Sequence, residues 1–432
     1  MAAIDPTLSQ EQNNAEQHHA TYDALVLDAI LRQSLVTVRS LGRHGLHVAA
    51  SEVANVLDLE QLRRVPTFSS RWCQHAYTTP AYVQDTEPFL TYLQGVLATT
   101  GARVLITSSD GTLAVIRKHR KDLEQCGARV ALAAEPALAV ALHKDQTLAV
   151  AKHMGVDIPR GVIVRSVREV IEAIHEIGLP AVVKPIETWQ WGAQSGKRLV
   201  CKLVTTPAEA LLAIEELTQF GVAVHFQQFL PGRREAVSFL YAHGKMHARF
   251  AQWAKRTHPQ LGGTSVYRQS IALPADIHAQ AERLVREIGL EGYSEVEFRR
   301  DAAGKPFLME INPRLSASVE VAVRAGVDFP YLLYQWAAGE PIQTLAGYRT
   351  GRWMRYLEGD LLTTIQAFSQ RGRPGVTPPR QALLEFLAAF FVPGGYDYVD
   401  WQDLRPAWAA LSEFTERVLR KLAVRIAGRR TR

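Results

Sequence analysis

Apolar and polar positions alternate along the first third of the chain in a pattern that predicts strands followed by amphipathic helices. The strand candidates are Ala24–Leu27, Leu46–Ala50 and Arg103–Thr107, and a helix candidate, Leu31–Leu41, lies between the first two. Strands that alternate with helices indicate β-α-β units and therefore a parallel sheet covered by helices. The first turn, Asp28-Ala29-Ile30-Leu31, has no G-x-G-x-x-G sequence, so we do not expect a dinucleotide here.

A second unit with shorter elements begins near Ala141, and its elements are predicted from runs of apolar residues and their helical or alternating spacing. They are the helix Lys144–Met154, the strand Val162–Val164, the helix Arg168–Ile177, the strands Ala181–Lys184 and Leu199–Leu203, the helix Ala208–Phe220 and the strand Val224–Gln228. Gly178 ends the second helix as a C-cap residue. The segment Phe229-Leu230-Pro231-Gly232 predicts a hinge into the next unit.

The third unit contains long antiparallel strand signals at Glu235–Trp253 and Thr264–Ala272. After Gly347 the chain changes character, with a Pro-, Gly- and Arg-rich stretch at Arg371–Arg380, and we interpret this region as a C-terminal appendage. The predicted organisation is a disordered tail at 1–21, followed by units at 22–135, 136–230, 231–347 and 348–432.

Composition adds exclusions to this picture. The chain of 432 residues is 47% hydrophobic and 21% charged, which fits several globular domains. It has no apolar stretch of the roughly 20 residues that a membrane helix needs, and no secretory signal. The three cysteines, Cys73, Cys126 and Cys201, lie far apart, which argues against a disulfide framework and a cysteine zinc site. We therefore expect a cytoplasmic protein without a membrane partner.

The net charge of +6 raises the question of a polyanionic partner. Much of the basic excess lies in the C-terminal segment RVLRKLAVRIAGRRTR. A solvated helix and tail explains such a run, and the sequence has no DNA- or RNA-binding motif. A nucleic-acid partner is therefore not expected.

The candidate chemistry lies in a predicted hairpin. Its strands are Ser294–Arg300 and Lys305–Asn312, joined by a turn that contains Gly304. Because side chains alternate along a strand, Glu310 and Asn312 share one face. A turn with an even number of residues would add Glu297 to that face, and an odd number would separate it.

Two carboxylates and an amide oxygen on one face would repel one another unless a cation is present. Magnesium prefers a few carboxylate oxygens together with phosphate oxygens, so this set predicts a magnesium site. The alternative is a solvated polar face above apolar residues.

At this hairpin the sequence resembles the ATP-grasp superfamily. The stretch Met309-Glu310-Ile311-Asn312-Pro313-Arg314 matches its metal-binding E-I-N-P-R motif, and Glu297 lies in a V-E-F strand as the partner ligand. The similarity extends over Tyr22–Gly347, and the stretch Ala325–Leu333 is typical of a carboxylate–amine ligase-like subgroup. The resemblance implies an α/β and α+β multidomain fold: a Rossmann-like pre-ATP-grasp domain (22–135), a small lobe (136–230), a large lobe with the metal site (231–347) and a C-terminal helical extension (348–432).

The resemblance also implies cofactors and residue roles. ATP would be used with Mg²⁺, or alternatively Mn²⁺, and the metal ligands would be Glu297, Glu310 and Asn312. Lys144 and Lys184 would contact the phosphates as point charges, with Lys184 also catalytic, although either could be a surface lysine. The adenine would lie at the hinge, against Gln227, Gln228, Phe229 and Leu230, where family members often have Glu in place of Gln228. Glu235 would reach the ribose, unless it is an exposed strand glutamate.

The loop Trp189–Lys197 takes the place of the glycine-rich flap over the phosphates. It has only two glycines and two tryptophans, and Gln194 and Ser195 would supply phosphate donors; alternatively, the tryptophans pack the loop against its lobe. Arg314 would be catalytic by stabilising the charge of an acyl phosphate. Arg256, Arg268 and Ser270 are candidate anchors for a substrate carboxylate or, alternatively, surface residues.

The implied activity is that of an ATP-dependent ligase, which activates a small-molecule carboxylate as an acyl phosphate and couples it to an amine. Alternatives are activation of an enol or hydroxyl followed by amine substitution, carboxylation through carboxyphosphate, and a non-catalytic nucleotide-binding regulator. The small-molecule acid and amine are not specified, and the oligomeric state stays open between a monomer and a homodimer.

Overall fold

A computed structural model describes residues 21–53, 64–191, 195–219, 221–260 and 262–430. The predicted disordered tail, residues 1–21, lies outside these residues except for Thr21. Within the described part of the chain, no helix combines the length and apolar character needed to cross a bilayer.

The first unit is built on a five-stranded parallel sheet with the strand order β3-β2-β1-β4-β5. Its strands are β1 (Ala24–Val26), β2 (Val48–Val53), β3 (Cys73–Thr79), β4 (Val104–Ile106) and β5 (Arg129–Val130). Its helices are α1 (Arg32–Arg43), α2 (Glu87–Thr100), α3 (Asp110–Lys118) and α4 (Arg120–Gln125), with a 3₁₀ turn at Pro66–Ser69. The central strand β1 is fully buried, as expected for a short apolar strand with a neighbour on each side.

The second unit contains a four-stranded antiparallel sheet with the order β10-β7-β11-β6 and a separate hairpin, β8–β9. Its strands are β6 (Gly161–Val164), β7 (Ala181–Pro185), β8 (Trp189–Trp191), β9 (Gly196–Arg198), β10 (Lys202–Val204) and β11 (Val224–Gln228). Its helices are α5 (Ala137–Leu142), α6 (Lys144–His153), α7 (Val170–Ile177) and α8 (Pro207–Thr218). The strand predicted at Leu199–Leu203 is displaced to β10, because Leu199 follows the β8–β9 hairpin directly.

The third unit contains a seven-stranded sheet with the order β16-β15-β12-β13-β14-β17-β18. Its strands are β12 (Arg234–Ala242), β13 (Lys245–His258), β14 (Thr264–Ile271), β15 (Gly292–Arg300), β16 (Pro306–Asn312), β17 (Trp353–Arg355) and β18 (Gly394–Tyr396). The antiparallel strand signals predicted at Glu235–Trp253 correspond to two strands, β12 and β13, which pair antiparallel. His243 and Gly244, with φ of 50° and 74°, form the turn between them.

The remaining helices cover this sheet and continue to the end of the described chain. They are α9 (His278–Ile288), α10 (Glu320–Ala325), α11 (Phe329–Ala338), α12 (Leu357–Ser369), α13 (Pro379–Ala388) and α14 (Arg405–Arg430). The region after Gly347 is not a separate appendage, since β17 and β18 extend the seven-stranded sheet beyond β14. Asp360, which is fully buried, also accepts hydrogen bonds from Arg256 and Arg355 of that sheet.

An acidic segment between β18 and α14 joins the first unit to the third. We define it by Asp397, Asp400 and Asp403, which lie three residues apart and are all buried. The pairs are Arg32 and Arg268 with Asp397, Arg43 and Arg324 with Asp400, and Arg39 with Asp403. Three of these arginines belong to α1 and the other two to the third unit, so the acidic segment connects the two units through ion pairs to buried carboxylates.

Candidate functional site

A cleft of about 940 Å³ lies where the three units meet. Its lining includes the turns after β1 and β4, strands β7 and β11, the β15–β16 hairpin and residues of the C-terminal region. The two turns lie at the carboxyl edge of the parallel sheet, the position at which open α/β sheets hold their ligands.

The β15–β16 hairpin places its acidic residues on the cleft side. Glu297 pairs directly with Glu310, and Glu295 pairs with Asn312, so the predicted shared face is confirmed. The predicted dependence on an even turn is wrong, however, because the turn between the paired residues Arg300 and Pro306 has five residues. A β-bulge leaves Met309 unpaired, and this extra residue brings Glu310 onto the face of Glu297.

The three predicted metal ligands are close to one another. Asn312 Nδ2 donates to Glu297 Oε1 at 3.2 Å. The same oxygen accepts a hydrogen bond from Arg234, a residue that the sequence did not single out. Burial disfavours the charged guanidinium, but Glu297 outweighs this effect and raises the pKa of Arg234. Arg234 therefore neutralises part of the negative charge on this face.

Both predicted phosphate-binding lysines lie in the cleft and are buried. Lys144 begins α6, and its Nζ is 3.9 Å from Glu310 Oε2 and 3.4 Å from Thr188 Oγ1. Burial lowers the pKa of Lys184, and electrostatic interactions with Cys201 and Glu310 oppose this shift without cancelling it. Burial alone would raise the pKa of Glu310, but Lys144, Lys184 and Arg234 outweigh it and lower that pKa. The cleft therefore holds a carboxylate that stays ionised between two cations.

Arg314 connects the hairpin to the first unit. Its Nε donates to Asp110 Oδ1 at 2.6 Å, and Arg198 lies 3.5 Å from the other oxygen of that carboxylate. Burial would raise the pKa of Asp110, but Arg314 and Arg198 lower it. Asp110 is the first residue of α3, so a helix N-terminus also favours its negative charge. Asp110 thus fixes the Nε side of the Arg314 guanidinium, and Arg314 lines the cleft.

The predicted adenine-binding residues, Gln227–Leu230, all line the cleft. The backbone N–H of Gln228 donates to the backbone carbonyl of Arg160 at 2.9 Å, and the backbone N–H of Arg160 donates to Gln228 Oε1 at 3.3 Å. These two hydrogen bonds position the hinge. Gln227 Nε2 is buried without a hydrogen-bond partner among the described residues. Arg299 Nε, also in the cleft lining, is buried and unpartnered too. Such orphaned donors fit a ligand that brings acceptors.

The predicted flap is an antiparallel hairpin, β8–β9, fastened to the first unit. The Trp189 ring lies 5.7 Å from the Tyr82 ring, and the Gly196 amide donates to the Val83 carbonyl at 2.6 Å. The tryptophans therefore pack against the first unit rather than only against their own lobe. Gln194 lies outside the described residues, and Ser195 is exposed and is not brought into the cleft lining.

Glu235 is not brought to the cleft. It pairs with Phe298 on the face opposite to Glu297, because neighbouring residues of β12 alternate and Arg234 occupies the cleft side. Its carboxylate accepts from Arg300 at 2.7 Å and lies 3.1 Å from Arg233. The predicted ribose contact is therefore corrected to a structural ion pair.

Arg256, Arg268 and Ser270 are likewise structural. Arg256 makes two hydrogen bonds to Asp360, at 2.5 and 2.7 Å. Arg268 is fully buried and paired with Asp397, and the Ser270 hydroxyl donates to the Arg349 carbonyl. The two arginines were predicted to be substrate anchors or surface charges, and they are neither, because each is paired with a carboxylate of the protein itself. Both carboxylates lie about 100 residues or more further along the chain, so the sequence alone did not link them to the arginines.

Glu295 is another cleft residue that the sequence did not single out. It lies on the same face as Glu297 and accepts from Gln252 at 2.8 Å. Burial, and then the neighbouring Glu297, raise its pKa to about 7. The alternation that marked Glu297 also marks Glu295, two residues earlier in the strand, so the signal was present in the sequence.

The donor set fits a magnesium ion that is shared with phosphates. Within the ranges that the structure describes, no group of three or more His, Cys, Asp or Glu side chains is placed to hold a metal on its own. Glu297, Glu310 and Asn312 supply two carboxylates and one amide oxygen. This set leaves coordination positions for ligand oxygens, as magnesium requires.

Comparisons with known proteins agree with this geometry. Residues 226–359 match the family described as "ATP-grasp in the biosynthetic pathway with Ter operon". A D-alanine–D-alanine ligase from Chromohalobacter salexigens is 24% identical over 216 residues, which cover 46% of this chain and 64% of that protein. The chain thus matches less than two thirds of the length of that relative.

Two solved structures share the fold. An L-amino acid ligase from Bacillus licheniformis superposes with a TM-score of 0.58 at 16% identity, covering 77% of this chain and 79% of that one. The second is the biotin carboxylase domain of a Hydrogenobacter thermophilus 2-oxoglutarate carboxylase, in complex with MgADP, ADP and bicarbonate. It superposes with a TM-score of 0.60 at 16% identity, covering 78% of this chain and 74% of that one. The family match over residues 226–359, the shared fold and the E-I-N-P-R hairpin all make this chain similar to proteins of the ATP-grasp superfamily.

Proposed function

We propose that this protein is an ATP-dependent ligase that activates a small-molecule carboxylate as an acyl phosphate and couples it to an amine. The observation that carries the proposal is the shared cleft face of Glu297, Glu310 and Asn312, with Lys144 3.9 Å from Glu310. Ion-pair networks also occur in structural cores, but here the charges line a large cleft. The names of the relatives, D-alanine–D-alanine ligase and L-amino acid ligase, support the same type of reaction.

The units take the roles of the superfamily in this proposal. Residues 22–135 form the Rossmann-like pre-ATP-grasp domain, 136–230 the small lobe and 231–347 the large lobe that carries the metal site. Residues 348–432 form a C-terminal extension, whose strands β17 and β18 are integrated into the large-lobe sheet.

ATP would lie between the two lobes. Gln227 Nε2, which has no partner among the described residues, and the backbone of Gln228–Leu230 would hold the adenine, and Lys144 and Lys184 would contact the phosphates. Gln194 and Ser195 of the flap remain candidate phosphate donors in this proposal. Glu297, Glu310 and Asn312 would hold Mg²⁺, which neutralises phosphate charge when bound. The biotin carboxylase domain that shares this fold is a complex with MgADP, which supports this pair of cofactors.

In the first step an oxygen of the substrate carboxylate attacks the γ-phosphorus of ATP. The bond to the bridging oxygen breaks, ADP leaves and an acyl phosphate forms. In the second step a neutral amine attacks the acyl carbon, the bond to the phosphate oxygen breaks, and the nitrogen gives up one proton to the departing phosphate as the amide forms. Lys184 and Arg314 lower the barrier by stabilising charge that develops on the phosphoryl and acyl oxygens.

Asp110 has a positioning role in this scheme. It accepts a hydrogen bond from the Nε of Arg314, so the terminal nitrogens of the guanidinium are left for the acyl phosphate. The flap hairpin, packed on Tyr82, excludes water that would hydrolyse the acyl phosphate.

The test is magnesium-dependent ADP formation by the full chain, with pooled amino acids and small carboxylic acids as substrates. We expect turnover that requires one acid and one amine, and its loss in Glu310→Gln. The matched control is Glu287→Gln, which changes an exposed glutamate on α9 and should retain turnover.

Other outcomes would contradict the proposal. ADP formation that requires an enol or hydroxyl compound in place of an acid would support the substitution reaction instead. Tight ATP binding without turnover in any pool would support a nucleotide-binding regulator.

A further inference from the structure

The C-terminal region carries most of the exposed apolar surface. Among the described residues, 15 of the 22 large apolar side chains that are exposed lie within residues 357–419. Single exposed leucines are ordinary on a protein surface, but a concentration that includes large aromatic rings marks a contact surface. These 15 side chains lie outside the lining of the candidate active site.

Helix α14 and the residue pair before it arrange part of this surface as a narrow stripe. Trp401, Leu404, Trp408, Leu411, Thr415 and Val418 are all exposed and follow one another at intervals of three and four residues. We call this stripe the α14 seam. Within α14, Trp408, Leu411, Thr415 and Val418 have the spacing of the a and d positions of a heptad, which face a partner helix in a coiled coil, and Trp401 and Leu404 extend the stripe from the turn before the helix.

The other side of α14 is fastened to its own chain, so the seam faces outward. Arg417 donates to Glu358 of α12 at 2.7 Å, and Glu416 pairs with Arg64 near the 3₁₀ turn of the first unit. Arg417 and Arg420 also pair within the helix with Glu413 and Glu416. These charged residues of α14 are therefore satisfied within one chain, whereas the apolar positions of the seam are exposed.

We propose that the α14 seam pairs with the α14 seam of a second copy of this chain, to form a two-fold symmetric dimer. Trp401 and Trp408 are 85% and 68% exposed, and with the aliphatic positions the seam presents on the order of 700 Å² of apolar surface. One partner of a stable interface contributes about 800 Å². A two-fold pairing buries the same patch on both copies and leaves none open for further addition.

The spacing of the exposed residues within α14 favours a helix over a lipid surface as the occupant. A helix that lies on a membrane presents a broad apolar face, whereas a three-four spacing such as that of Trp408, Leu411, Thr415 and Val418 is typical of helix pairing. This inference does not depend on the proposed enzymatic activity, since the seam shares no residue with the candidate active site.

The test is the molar mass of the full chain by sedimentation velocity over a wide concentration range. We expect about 96 kDa, twice the 48.0 kDa of one chain. The double variant Trp408→Glu, Leu411→Glu should sediment as a monomer, with its dimer dissociation constant raised on the order of 100-fold or more, because aromatic anchors dominate interface energies. Its far-UV circular dichroism should match the wild type, since both positions are exposed.

The matched control is Ile171→Glu, Leu212→Glu, which changes two residues of similar exposure, 71% and 64%, on α7 and α8. This control should remain dimeric. A wild type that stays at 48.0 kDa throughout overturns the proposal, as does a seam variant that remains a dimer. A monomeric wild type that co-sediments with phosphatidylglycerol vesicles would identify the seam as a lipid-binding surface and would also overturn it.

Discussion

Asp397 offers a direct test of the junction between the first and third units. Its carboxylate is 3% exposed and accepts two hydrogen bonds from Arg268, at 2.6 and 3.2 Å, and one from Arg32. Asp397→Asn keeps the shape of the side chain but removes its charge. Arg268, which is fully buried, would then lack a counter-ion.

Removing one partner of a buried ion pair costs about 3–5 kcal/mol, and here one carboxylate serves two guanidinium groups. We therefore expect the free energy of unfolding to fall by at least about 3 kcal/mol. Burial alone would raise the pKa of Asp397, but Arg268 and Arg32 lower it. The contribution of this carboxylate is thus present above the unfolded-state pKa near 3.8 and is lost as the pH falls through the lower folded-state value.

The assay is urea unfolding followed by tryptophan fluorescence and circular dichroism at pH 7 and pH 5, where the loss should be equal. Asp122→Asn is the matched control, because Asp122 is 56% exposed and lies 3.6 Å from His119. Its effect should stay within about 0.5 kcal/mol. A loss below about 1 kcal/mol in Asp397→Asn would refute the reasoning that this buried charge holds the junction together.

Three further predictions concern the cleft and its surroundings. Lys184→Met should weaken ATP binding by at least about tenfold in calorimetry, because the proposed ATP site would lose a buried cation, whereas Lys152→Met, on the exposed side of α6, should bind normally. Trp189→Ala should speed amide hydrogen exchange in β8–β9 on the order of tenfold, since its ring contacts fasten the hairpin; unchanged exchange would contradict this role. Burial raises the pKa of Glu52 from 4.5 to about 7, so its contribution to stability is full below pH 4.5 and falls by roughly 3 kcal/mol as the pH rises through 7. In Glu52→Gln this pH dependence should be absent. If the free energy of unfolding changes with pH in parallel for the two proteins, Glu52 is not the group responsible.

The sequence predicted elements best where apolar runs were bounded by clear turn residues. The strand Val224–Gln228 and the start of α6 at Lys144 agree with the structure residue for residue. The Glu235–Trp253 region contains two strands, and the exposed residues His243 and Gly244 form the tight turn between them. Such a short turn leaves only a brief gap in a long apolar pattern, so the sequence analysis did not assign its position.

Within the candidate site, the residue order of one motif was enough to locate the hairpin residues, but not their partners. Arg314 lies 204 residues from Asp110, and nothing local in the sequence links them. Glu235 was assigned to the ribose from the resemblance to the family, but its position in β12 places it on the face opposite to Glu297, because side chains alternate along a strand. The acidic segment was missed for the same reason as Asp110, since its arginine partners come from α1 and from the large sheet.

The bulge at Met309 bears on how relatives of this chain are found. Twelve residues separate Glu297 from Glu310, and the turn uses five of them while one is left unpaired. A homologue with a regular ladder and the same turn would have one residue fewer and still present both carboxylates on one side. A search pattern with a fixed interval between the two acids would therefore discard true relatives, and alignments of this hairpin should allow a gap either in the turn or immediately before the second acid.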